Sequence, residues 1–131
     1  MKGRGPLLFC LLAGGGDALT GALLLAAPRL VLRLLGAAVP EGDLIFLRFV
    51  GVFVGSVGLA YLYPWLVRER SSRVVAALEI TAGIRLAVAL FLGCALMSGR
   101  LDLPWATVGA YDALAAMAQL GLLAQGHFRD A

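Results

Sequence analysis

The chain predicts an all-α fold, an integral membrane four-helix bundle with both termini in the cytoplasm. Three observations carry that prediction. Of its 131 residues 61% are hydrophobic and only 15% charged, and the mean hydropathy is +0.92, far from the range of soluble domains. Four apolar runs each approach the roughly 20 residues that a spanning helix needs, which leaves short connections and a single transmembrane domain over residues 1–131. Lys and Arg outside the runs divide unevenly, with Lys2, Arg4, Arg68, Arg70, Arg73 and Arg129 on one side and Arg29, Arg33 and Arg100 on the other. The positive-inside rule then assigns both termini to the cytoplasm.

The first span covers residues 6–27. Lys2 and Arg4 ahead of an apolar stretch resemble a signal peptide, but Asp17 interrupts the apolar region, and Phe9 before Cys10 is too bulky for lipoprotein cleavage. The run is therefore read as a retained span. Pro28 to Val39 follows, with Arg29 and Arg33 one helical turn apart among Leu and Val. This stretch is either a short interfacial helix over 28–39 or a tilted continuation of the first span with snorkelling arginines. Glu41 and Asp43 precede the second span, 44–66, and Pro64 lies near its end. Arg68 to Arg73 separates it from the third, 74–97, and Asp102 with Pro104 opens the fourth, 103–124.

Five ionisable residues interrupt the runs: Asp17, Arg48, Glu79, Arg85 and Asp112. Each costs about 2.5–3.5 kcal/mol at mid-bilayer on insertion scales, so each needs a partner, water or a peripheral position. At about 1.5 Å rise per residue, Asp17, Arg85 and Asp112 fall about 17–18 Å deep, Arg48 roughly 9 Å nearer the outside and Glu79 about as far towards the cytoplasm. Asp17, Arg48, Arg85 and Asp112 are therefore the candidate buried polar network. Arg85 bridges two carboxylates through its fork of donors, and Arg48 reaches either down to them or up to the outer interface. Glu79 is assigned to Arg73 or Arg70 at the cytoplasmic rim.

Small residues share the charged faces. Asp17 lies with Gly14 and Gly21, Arg48 with Gly51, Gly55 and Gly58, Arg85 with Thr81 and Ala89, and Asp112 with Gly109, Ala116 and Gln119. These glycines are the candidate helix-packing positions. Gly14 to Gly16 either pack closely against a neighbour or loosen the first helix at mid-membrane, a ligand-site device. Tyr61, Tyr63, Trp65 and Trp105 near span ends read as an aromatic belt. Gly14-x-x-Asp17-Ala18-Leu19 and Gly109-x-x-Asp112-Ala113-Leu114 form a short internal echo on oppositely directed helices.

Much chemistry is excluded. His127 is the single histidine, so bis-His haem ligation and a catalytic triad fail. Cys10 and Cys94 stand alone, about 25 Å apart in depth by helix rise, whereas a disulfide needs Cα atoms about 6 Å apart. No metal or cofactor is implied. The pI near 9.3 reflects topology signals at span ends and no nucleic-acid stripe.

The stretch LLLAAPRLVLRLLG, followed by LIFLRFVGVFVGSVGLAYLY with its Arg48-x-x-Gly51 and later Gly55 and Gly58, resembles small four-span bacterial membrane proteins of unknown function in the broad DoxX-like group. That resemblance implies a four-helix bundle in a bacterial inner membrane and supplies no catalytic residues. Three functions remain. The first is a structural or accessory bundle that binds a lipid or other amphiphile. The second is a proton-coupled small-molecule transporter acting as an oligomer; a homo-oligomer or a larger membrane complex is the expected protein partner. The third is a membrane-embedded enzyme with Asp17 and Asp112 as acid and base beside Arg85.

Overall fold

The computed structural model describes residues 4–66 and 70–126. Five helices follow one another: α1 Arg4–Ala26, α2 Pro28–Leu35, α3 Ile45–Leu66, α4 Arg70–Met97 and α5 Trp105–Ala124. Within these helices Gly5–Ala26, Ile45–Leu66, Ser72–Met97 and Trp105–Ala124 are long and apolar enough to cross a membrane. Large apolar side chains point away from the protein on all sides, Met97 at 92%, Phe46 at 83% and Leu66 at 81% exposure. A soluble fold would bury them; a lipid-facing surface leaves them outward.

The boundary between α1 and α2 answers the alternative left open above. Ala27 leaves helical conformation (φ −139°, ψ 60°) because the ring of Pro28 crowds the residue before it, and Pro28 then starts a separate helix. That helix stops at Leu35, short of Val39, since Gly36 turns left-handed at φ 77°. The Gly36 and Ala37 N–H groups close back on Arg33 and Leu32. Pro28 and Leu32 are buried, while Arg29, Leu30, Arg33 and Leu34 face outward.

The long helices associate as two antiparallel pairs, α1 with α3 and α4 with α5, joined more thinly by α3 on α4 and α1 on α4. Glycine sets the first pair. A Cβ at Gly21 would lie 2.5–2.7 Å from the backbone of Gly55 and Gly51, and one at Gly14 would lie 2.8 Å from Tyr61 Cβ. Gly51 and Gly58 are equally tight, against Leu24 and against Ala18 with Gly14. Only hydrogen fits at these positions, so the backbones approach as closely as small-residue packing allows. Gly55 takes part through its backbone, which lies against Gly21, while a Cβ on Gly55 itself would have its nearest neighbour at 3.8 Å; at Gly109 a Cβ would meet Leu92 at 3.4 Å, an ordinary contact distance. Gly15 and Gly16 have open space before them and α1 runs unbroken through all three glycines, so the loosened-helix device is absent.

The core sits at the Pro64 end of the molecule. Cys10 and Ala13 of α1, Tyr61 of α3, and Val74 and Leu78 of α4 form a buried cluster, against which Val57 and, from α5, Leu123 pack. All four long helices meet there. Beyond Arg85, towards α2, the buried residues of the long helices lie within one pair or the other. Gly21, Leu24 and Gly51 belong to the α1–α3 contact, and Leu92 packs beneath Gly109 of α5.

Candidate functional site

Arg85 lies at the level where the two pairs part. It reaches mid-helix on α4, and its side chain is 4% exposed. Three of its nitrogens are used on three different helices. Nη2 donates to Asp17 Oδ2 of α1 at 2.6 Å, Nη1 donates to Asp112 Oδ1 of α5, and Nε donates to Tyr61 Oη of α3 at 2.8 Å. The guanidinium carbon also stands 5.4 Å from the Tyr61 ring centre and 5.2 Å from that of Tyr111. A planar fork of fixed donors suits this role, since one group can hold three acceptors in three directions. The single side chain of Arg85 thus touches every long helix of the bundle.

Asp17, Arg85 and Asp112 come together, but Arg48 does not join them. Its reach and its small-residue face with Gly51 and Gly55 allow a place in that network. Instead its Nη1 donates to the Leu25 carbonyl near the C-terminal end of α1, where the last helical carbonyls lack partners and attract a cation. The site is therefore two carboxylates on one guanidinium, a formal charge of −1.

A second polar layer lies one turn nearer the Pro64 end. Gln119 of α5 donates through Nε2 to Thr81 Oγ1 at 2.7 Å and to the Leu78 carbonyl at 3.3 Å, and Thr81 donates to the Ala77 carbonyl at 2.5 Å. Gln119 Oε1 is buried with no hydrogen-bond partner. Thr81 and Gln119 appeared in the sequence only as neighbours of the charged residues. Tyr61 does not belong to the aromatic belt that its place near a span end suggests; it is fully buried and a direct partner of Arg85. Its position three residues after Gly58, on the same face, was the signal for an inward direction.

Of the two partners expected for Glu79, only Arg73 has a described side chain. Arg73 donates to Tyr63 Oη at 2.5 Å with its guanidinium 5.3 Å from that ring, so it is engaged away from Glu79. The Arg70 side chain and His127 lie outside the described residues. Cys10 and Cys94 are free thiols, Cys10 buried and Cys94 exposed. Among the described residues no group of three His, Cys, Asp or Glu side chains is placed to hold a metal ion.

Side chains next to the site differ in exposure. One turn beyond Asp17 and Arg85, towards α2, Thr20 and Val88 are exposed, and Tyr111 at the level of the guanidinium is 52% exposed. The helices α1 and α5 scarcely touch. The two pairs are thus joined chiefly through α3 on α4, and least through α1 and α5. The chain matches no family model, and comparison with curated proteins and with solved structures gave no match.

Proposed function

We propose that this small integral membrane protein is an accessory bundle that seats a lipid or other amphiphile in the cleft between its two helix pairs, with the Arg85 cluster as the polar floor. The single observation behind this reading is the change of packing at Arg85. Below it four helices share a core; above it the described buried residues belong to one pair or the other. An unfilled apolar gap in a bilayer is occupied by chains of lipid or ligand, and a polar floor orients a head group. The Lys and Arg distribution supports cytoplasmic termini, and the DoxX-like resemblance supports a bacterial inner membrane.

Electron spin resonance with chain-labelled phosphatidylcholine tests the seat in nanodiscs. The proposal requires a motionally restricted component that is reduced when bulk fills the cleft in Thr20→Trp and Val88→Trp. A restricted component that both variants leave unchanged refutes it. Two carboxylates sharing one guanidinium favour a second reading, proton-linked transport by an oligomer. It requires proton uptake or release with substrate movement across a sealed vesicle.

A further inference from the structure

A pocket lined by charged side chains lies in a different part of the molecule. At the junction of α1, α2 and α3 lies a pocket of about 260 Å³, bounded by Ala27, Arg29, Leu30, Gly42, Asp43 and Arg48 among others. Its two guanidiniums come from different helices, and each is fixed by one donor to a backbone carbonyl. Arg29 Nη2 donates to the Gly42 carbonyl at 2.6 Å and Arg48 Nη1 donates to that of Leu25. A guanidinium has five N–H donors, so each arginine, anchored through one nitrogen, keeps others for a ligand. The start of α2 lines the same pocket, and Ala27 gives it no side-chain cap. Against these positive groups stands one carboxylate, Asp43, which leaves the pocket with a formal charge of +1.

The location fixes the class of ligand. Arg48 is the fourth residue of α3, and Arg29 follows the end of α1 by three residues, so both stand where the apolar length of the spans ends. Lipid phosphates occupy that level, and paired guanidiniums recognise phosphate oxygens in a bidentate manner. We infer that this pocket binds the phosphate of an anionic phospholipid, with Arg29 and Arg48 as its ligands. The site is independent of the cleft above Arg85, and neither needs the other to exist.

The test is native mass spectrometry of the full chain in detergent, titrated separately with phosphatidylglycerol, phosphatidylcholine and inorganic phosphate. The inference requires phosphatidylglycerol to bind more tightly than phosphatidylcholine. Arg29→Gln and Arg48→Gln each weaken it about tenfold or more, the factor for losing one hydrogen bond to a charged group. Asp43→Asn tightens it, and Arg33→Gln, on α2 but outside the pocket lining, leaves it unchanged. Equal losses in Arg29→Gln and Arg33→Gln overturn the site in favour of diffuse charge attraction. Arginine-dependent binding of inorganic phosphate without phosphatidylglycerol binding overturns the lipid source. Arg29 is exposed, so Arg29→Gln remains decisive even where Arg48→Gln loosens the end of α1; Arg48→Lys, which keeps the charge, then retains part of the affinity.

Discussion

Replacing Arg85 by Met keeps the length and apolar stem of the side chain while removing its three contacts to Asp17, Asp112 and Tyr61. Interhelical hydrogen bonds inside membranes average about 0.6 kcal/mol, because helices that have separated in the bilayer find other partners, and three bonds at that rate give about 2 kcal/mol. The substitution also leaves two carboxylates side by side with no cation, and removing one partner of a buried pair costs about 3–5 kcal/mol. The expected loss is therefore about 3–5 kcal/mol. Unfolding in dodecyl sulfate, followed by the fluorescence of Trp65 and Trp105 and by circular dichroism, measures it. The variant Asp17→Asn/Arg85→Met/Asp112→Asn separates the two causes, since it loses the same bonds but leaves no unpaired charge, and it should recover about 1–3 kcal/mol of the loss. If Arg85→Met unfolds within about 0.5 kcal/mol of the native protein, the size of a surface change, then Arg85 does not hold the four helices together.

Three further substitutions probe the packing around that cluster. Gly58→Ala places a methyl 2.7 Å from the Gly14 carbonyl and nearer still to Ala18; it should destabilise by about 1–3 kcal/mol, whereas Gly55→Ala, with its nearest neighbour at 3.8 Å, should stay within about 0.5 kcal/mol in the same unfolding assay. Tyr61→Phe keeps the ring in the core and removes the acceptor of Arg85 Nε, so a loss of about 1–3 kcal/mol with unchanged helix content is expected. Gln119→Leu removes the orphaned Oε1 together with the bonds to Thr81, which keeps its own bond to Ala77, and to the Leu78 carbonyl. The two effects oppose each other, and the change in unfolding free energy should be under about 1 kcal/mol.

Much of this arrangement follows from helix geometry read along the sequence. A fixed rise per residue puts Asp17, Arg85 and Asp112 at one depth, and the fixed turn angle puts small residues on their faces, so their meeting needed no knowledge of neighbours. Arg48 escaped because its side chain is long enough for two destinations, and the choice lies with carbonyls at the end of another helix. Tyr61 escaped for a related reason. Proximity to a span end suggests an interfacial ring, whereas its spacing from Gly58 points inward, and the tight glycine contact decides in favour of the core. A Cβ on Gly55 or Gly109 would still find room, because periodicity names a face but not the atom opposite it. The pairing of α1 with α3 and of α4 with α5 has no sequence signal, since which helix covers which face is a property of the assembled bundle.

The account rests on two helix pairs that share a core at the Pro64 end and separate beyond Arg85. Distances between spin labels at the two ends test this directly. With Cys10 and Cys94 replaced by Ala, one label pair is placed at Leu25 and Thr107 and another at Leu8 and Leu120, all exposed positions on α1 and α5. The account predicts a narrow distance distribution for Leu8 with Leu120 and a broad one for Leu25 with Thr107, which narrows when phospholipid replaces detergent. Equally narrow distributions at both ends in detergent would mean that the pairs are packed along their whole length, and would contradict it.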